Sequence, residues 1–379
     1  MRRAIILALG TALVSTSLAM AAPDTASKAA PAKAAPAKAI KAEVDPTVSP
    51  PGWTPPKTAW GAPDFGGYWS NATMTPLTRN SRLTTKGTLT AKEAKGLESA
   101  FAEALAEADR PTDQKKGPGN VTDKDSAEAK LVAIRPDFAA AGGDVGGYNT
   151  FWIDPGAHIM EVNGEYRSSI LTTDNGLPPA RKPTAGPAPG FPRDSYDSYE
   201  VRGLGDRCIM GFGRNAGPPM LANGYYNNSY YFIQTPDTVV IQIELIHDTR
   251  IVRMNGQHRT DGVRTYMGDS IGHYEGNTLV VETTNMLQSQ NFMGSWKNLK
   301  ITERFTRVSP TRINYKFEVS DPDTWDKPWG GEYDFYPLHG IVYEYACHEG
   351  NYALPAILAG ARRKEAEESG KNTPKPGAE

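Results

Sequence analysis

Glu303 is the residue whose type and position most invite chemistry. It interrupts an apolar stripe that reads Leu299, Ile301, Glu303, Phe305. After the turn residues Ser309, Pro310 and Thr311, the chain alternates again, with Ile313, Tyr315, Phe317 and Val319 on one face. Pairing Val308 with Arg312 sets Glu303 opposite Phe317, Phe305 opposite Tyr315 and Ile301 opposite Val319. A slip of one residue would turn the second apolar face against Arg304 and Thr306, so the pattern selects this register. A carboxylate at such a place is desolvated and must be either paired or held protonated. It is then an acid–base group, or a structural glutamate satisfied by an Arg or Tyr from a neighbouring strand.

Two histidines are candidate complements. Val239, Ile241, Ile243 and Leu245 line one face of an expected strand from Val239 to Asp248, and His247 ends that stripe. The polar run His247-Asp248-Thr249-Arg250 suits a barrel mouth, where sites are common. The plainer reading is a hydrogen-bonded structural histidine. Further on, Gly276-Asn277 reads as a two-residue type II′ turn. It pairs Glu275 with Thr278, His273 with Val280 and Ile271 with Glu282, so that His273 and Glu282 are diagonal neighbours. A carboxylate that orients the ring makes His273 a workable general base; a solvent-side ion pair is the competing reading.

Tyr343 and Tyr345 share a face with Ile341 and Cys347, so either hydroxyl could meet Glu303. Tyr345 is the candidate donor to developing negative charge. Tyr343, Tyr230, Asn228, Trp325 and Arg250 are candidate ligand contacts, because aromatic rings beside amide and guanidinium groups suit a small flat molecule. Core packing is the default for most of the aromatics. The chain has six histidines without a His-x-His or His-Glu-x-x-His pattern, so no metal site is expected. It lacks a P-loop, a dinucleotide fingerprint and a Gly-x-Ser-x-Gly elbow, and no organic cofactor is expected.

These groups need elements to hold them. Serial short strands with clean alternation from Tyr230 onward predict a mainly β fold, an antiparallel up-and-down barrel or a strongly curved sheet. The last strand is expected at Gly340–Cys347. Thr90 and Glu93 have capping-box spacing and predict a helix near residues 91–109. Asn163-Gly164 predicts a hairpin turn, and the Pro/Gly-rich stretch 174–195, with Leu177-Pro178-Pro179, a lid or binding loop.

The chain begins as an exported one. Arg2-Arg3, an apolar run from Ala4 and Ala19-Met20-Ala21 read as a signal peptide over 1–21. An Ala/Pro/Lys-rich tether over 22–56 is expected to be disordered, followed by one β-rich domain over 57–360 and a disordered tail over 361–379. Secretion across the inner membrane to the periplasm is the expectation. The formal net charge of −2 without a basic cluster disfavours nucleic acid and anionic membrane as partners, and no membrane span is expected. The two cysteines, Cys208 and Cys347, suit a disulfide in an oxidising compartment, with two buried thiols as the alternative.

A set of motifs resembles a known group. It comprises Arg167-Ser168-Ser169-Ile170-Leu171, Asp174-Asn175-Gly176-Leu177-Pro178, Asp206-Arg207-Cys208 and Gln234-Thr235-Pro236-Asp237. Gly272 to Thr284, Ile301-Thr302-Glu303-Arg304-Phe305 and Tyr343-Glu344-Tyr345-Ala346-Cys347-His348-Glu349 complete it. Together these resemble a widespread group of exported bacterial proteins without an assigned activity. More loosely, Phe65-Gly66-Gly67-Tyr68-Trp69 followed by serial hairpins resembles the lipocalin-like barrels, some of which catalyse hydration, cyclisation or elimination.

Two functions are therefore expected. The first is a cofactor-independent lyase, hydratase or isomerase for a small aromatic or apolar molecule, with Glu303, His247, His273, Glu282 and Tyr345 in catalytic roles. The second is a non-catalytic periplasmic carrier of an apolar ligand. A filled interior without a pocket would instead mark an envelope scaffold.

Overall fold

The alternation seen in the sequence bends into a closed wall of nine strands. The computed structural model describes residues 52–108, 133–134, 154–189, 196–211, 217–221 and 227–370. The leader and the tether up to residue 51 lie outside the described residues. The wall is built from β1 (Gly67–Ser70), β5 (Ser229–Gln234), β6 (Thr238–Ile243), β7 (Thr249–Met254), β8 (Asp269–Glu275), β9 (Thr278–Thr284), β10 (Lys300–Ser309), β11 (Arg312–Ser320) and β12 (Trp329–Pro337). Its order runs β1, β12, β11, β10, β9, β8, β7, β6, β5, and β5 pairs back onto β1.

The wall is mixed rather than purely antiparallel. β7 and β8 run parallel, with Val252 beside Ser270 and Met254 beside Gly272. The connection 255–268 makes this possible, because it carries the chain back before β8 starts; a tight hairpin would force an antiparallel step.

The hairpin registers follow the apolar stripes. Glu303 pairs with Phe317, Phe305 with Tyr315 and Ile301 with Val319. The turn itself differs from expectation. Ser309, not Val308, pairs with Arg312, and the register shifts between Arg307 and Ser309, so a bulge absorbs Val308. Across Gly276-Asn277, Glu275 meets Thr278, His273 meets Val280 and Ile271 meets Glu282.

The final strand is Trp329–Pro337, and no strand forms over 340–347. Gly330 and Gly331 are both demanded by close approach to β11. A Cβ on Gly330 would lie 1.9 Å from the Phe317 carbonyl oxygen, and one on Gly331 2.6 Å from the Phe317 ring. β1 reaches only Tyr336 and Pro337 of β12. The rest of that edge is taken by residues 170–172, through Glu332 N–H to Ile170 O (3.0 Å) and Thr172 N–H to Gly330 O (3.0 Å).

Inward residues form one apolar cluster that includes Phe65, Tyr230, Phe232, Ile241, Val252, Val281, Ile301, Phe305, Tyr315, Phe317, Tyr333 and Phe335. Each such side chain contributes about 1.5–3 kcal/mol when taken from water. A smaller unit lies outside the wall, with β2 (Thr88–Leu89), β3 (Glu161–Val162), β4 (Glu165–Arg167) and helix α1 (Ala91–Ala108) around Met74, Leu89, Phe101 and Ile159. Asn163 and Gly164 take φ 54° and 80° between β3 and β4, as a type I′ turn requires. Thr90 Oγ1 accepts from Glu93 N–H (3.2 Å) and Glu93 returns the bond to Thr90 N–H (2.8 Å). Near the C-terminus, helix α2 (Ala353–Glu368) runs into the tail expected from residue 361, of which residues 371–379 lie outside the described residues. Its i,i+4 pair Arg363–Glu367 and the Arg362–Asp197 pair support a helix with no buried residue.

Candidate functional site

Glu303 sits inside the barrel with no solvent exposure, and it is paired. Its partner is Arg250 of β7, which offers two guanidinium N–H groups: Nη1 to Oε2 at 2.5 Å and Nη2 to Oε1 at 3.2 Å. Tyr315 completes the set by donating its hydroxyl to Oε1 at 2.7 Å. Both kinds of partner that a structural glutamate requires are therefore present, an Arg and a Tyr. Arg250 lies inward because β7 buries Arg250, Val252 and Met254 and exposes Thr249, Ile251 and Arg253. That choice runs against hydropathy, since Ile251 is 59 % exposed. The buried pair determines which face turns in: an unpaired Glu303 would cost more than burying one isoleucine gains.

Around this pair the bore carries a hydrogen-bonded network. Tyr315 Oη accepts Met220 N–H (2.8 Å), and Tyr333 donates its hydroxyl to the Met220 carbonyl (2.9 Å). Asn71 Nδ2 donates to both Tyr230 Oη (3.0 Å) and Tyr333 Oη (2.9 Å). Burial holds the phenols of Tyr230, Tyr315 and Tyr333 above their ordinary range, so each stays a neutral donor. Tyr315, Tyr333, Asn71 and Met220 were not singled out from sequence. Tyr315 was legible as a diagonal neighbour of Glu303 in the predicted hairpin; the others come from distant strands and a loop, which pattern alone does not bring together.

The other expected catalytic residues do not join Glu303. β6 ends at Ile243, and Leu245–His247 form a 3-10 turn in which Ile246 and His247 take φ 54° and 51°. This turn carries His247 off the apolar stripe to an exposed position. His273 is half-exposed and bonds Glu275 through Nε2 at 3.2 Å. Glu282 does not pair with it; Glu282 holds His258 Nε2 (3.1 Å) and Lys300. Tyr343 is 67 % exposed, and Tyr345 packs partly against the core from a segment outside the wall. Glu303 is engaged by Arg250 and Tyr315 instead.

The ligand candidates also separate. Tyr230 and Arg250 belong to the bore. Asn228 is buried and donates to the Asp154 carbonyl at 3.1 Å. Trp325 is buried edge-on against Trp329, with ring centroids 5.4 Å apart. Cys208 and Cys347 form a disulfide with Cα atoms 5.7 Å apart.

Two charged centres lie apart from Glu303. His258, in the 255–268 connection, spans Asp269 of β8 (Nδ1, 3.0 Å) and Glu282 of β9 (Nε2, 3.1 Å). Burial works to raise the Asp269 carboxyl, but hydrogen bonds from Arg259 N–H, Arg253 and His258 outweigh it and hold it low. Asp248 caps a barrel end and accepts Gly211 N–H at 2.8 Å; burial pushes its carboxyl up to about 6. Among the described residues, no three His, Cys, Asp or Glu side chains group so as to hold a metal ion. No helix among them is long and apolar enough to cross a membrane.

An open cleft of about 580 Å³ lies between the loop 172–179 and the β11–β12 edge. Phe317, Trp329, Leu177, Pro179 and Pro328 line its apolar part, with Lys316, Lys327, Thr172, Thr173 and Asn175 among its polar lining residues. The loop is set by its own bonds, Thr173 Oγ1–H to Leu177 O (2.7 Å) and Leu177 N–H to Asn175 Oδ1 (3.0 Å). Arg79 ties it down through the Asp174 carbonyl (3.0 Å). The Trp329 indole N–H is buried with no hydrogen-bond partner among the described residues.

Comparison with protein-family models, with curated proteins and with solved structures finds no match for this chain.

Proposed function

We propose that this protein is an exported, non-catalytic binding barrel that carries a small, largely apolar molecule in the cleft between the loop 172–179 and the β11–β12 edge. The observation that carries the reading is the cleft itself. Its volume falls within the 300–1,000 Å³ range of small-molecule sites. A pre-set loop closes one side, and Lys316, Lys327 and Asn175 give its rim polar contacts. Of the two functions expected from sequence, the carrier is favoured over the acid–base enzyme. His247, His273 and Glu282 do not converge on Glu303, which is already engaged by Arg250 and Tyr315. Export to the periplasm rests on the leader-like residues 1–21 alone.

Native mass spectrometry of freshly purified protein tests this reading. The expected result is a stoichiometric small-molecule adduct that a Leu177→Asp/Lys327→Glu variant fails to retain. A bare mass that persists after incubation with a small-molecule extract of the host cells would overturn it.

A further inference from the structure

One residue of the chain sits in the bore as a ligand would. Met220 is fully buried, and three interior side chains from three strands grip it: Tyr315 takes its N–H, Tyr333 donates to its carbonyl, and Arg250 Nη2 approaches its sulfur at 3.4 Å. The directions of these bonds are fixed. Tyr315 spends its single proton on Glu303, so towards Met220 it offers only lone pairs. Tyr333 receives the Asn71 amide and so directs its own proton to the carbonyl. The bore thus presents one acceptor and one donor spaced for the N–H and C=O of a single residue, both strengthened by the chain of polar groups behind them. A second observation is independent. Asn71 Oδ1 and Arg250 Nε, both on side chains at least nine-tenths buried, have no partner among the described residues, so Met220 uses only part of what the bore offers.

We propose that the bore is a receptor for the backbone N–H and C=O of one residue of a short apolar peptide, and that the chain's own Gly217–Leu221 strap occupies it in cis. This inference is independent of the cleft. The strap is short and tightly folded: a Cβ on Gly217 (φ 73°) would lie 2.8 Å from Met220 N. It is anchored upstream at two points, the Cys208–Cys347 disulfide and the Gly211 N–H held by Asp248. Reduction of the disulfide removes one anchor and makes the strap easier to displace.

The test uses full-length protein carrying a ¹³C-methyl label on methionine, so that the Met220 methyl, packed among aromatic rings, reports occupancy by NMR. The probe is acetyl-Gly-Pro-Pro-Met-Leu-amide. With reductant present, millimolar peptide is expected to move the Met220 signal to its free position while the rest of the spectrum stays folded, and at least tenfold more is needed without reductant. A peptide N-methylated at its methionine cannot donate to Tyr315 and is expected to bind at least tenfold more weakly. A Met220→Ala variant, whose strap is weakened, is expected to bind the probe without reductant. If that variant is folded and takes up neither peptide, or takes up both equally, the proposal fails. Dimerisation of the reduced protein with displacement of the Met220 signal would support the same receptor, with a second copy's strap as the peptide.

Discussion

Arg250 and Glu303 meet across the barrel although two strands, β8 and β9, stand between theirs in the wall. The pair therefore ties distant parts of the wall through the interior. Removing one charge leaves the other buried and unmatched, which costs about 3–5 kcal/mol, whereas replacing both with apolar residues of similar volume is often neutral. Glu303→Gln alone is expected to lower stability by about that amount. Arg250→Met/Glu303→Leu is expected to recover most of it. Urea unfolding curves of the three proteins decide the matter; a double variant as unstable as the single one would show that the ions are needed as ions.

Asp248 gives a pH signature. Burial pushes its carboxyl up to about 6, above the unfolded value near 4, so between these limits the folded state holds the proton more tightly. Its contribution to stability is present below pH 4 and is lost as the pH rises through 6. Asp248→Asn keeps an acceptor for Gly211 N–H and removes the charge. The variant is expected to be more stable than the parent at pH 7.5, by about 1–2 kcal/mol after allowance for solvent screening, and equal to it near pH 4. Thermal melts at the two pH values measure this.

The disulfide joins residues 139 positions apart. Restricting so long a loop in the unfolded chain is worth about 4–5 kcal/mol in the chain-entropy model. Cys208→Ser/Cys347→Ser is expected to lose much of this, read as a fall in the urea midpoint with a steeper slope, because the unfolded chain without the crosslink is less compact.

His258 bridges the 255–268 connection to both β8 and β9 through its side chain. His258→Leu leaves Asp269 and Glu282 without it. Hydrogen exchange is expected to rise about tenfold over that connection and the parallel β7–β8 seam, and to stay unchanged in β10–β12. Uniformly faster exchange would instead indicate a global loss of stability.

The strands and their registers were legible wherever apolar residues alternate on one side only. Ile301, Phe305, Tyr315 and Phe317 admit no other phase, and Gly276-Asn277 set the second hairpin. Arg250 was harder, because Ile251 beside it makes the opposite face look like the inner one. Only the knowledge that Glu303 needs a cation reverses the choice, and that requires the closed wall. His247 was misplaced because a left-handed turn at Ile246 and His247 breaks a stripe that the sequence carries on without interruption. β12 went unseen, the last strand being expected at Gly340–Cys347, and its Gly330-Gly331 step is explained only by the approach of Phe317 in the folded wall. The bore's Asn71, Met220 and Tyr333 lie on segments far apart in the chain, with no local pattern to join them.

The wall also carries a consequence for how the chain assembles. β5–β7 and β8–β12 are each runs of strands paired with their neighbours in sequence. β1 instead pairs Trp69 with Pro337 on one side and with Tyr230 on the other. Closing the barrel must wait on contacts that span most of the ordered chain, and such contacts form late and slowly. The two meanders are expected to form first as open sheets, and the four residues of β1 then act as the last stitch, converting two edges into none.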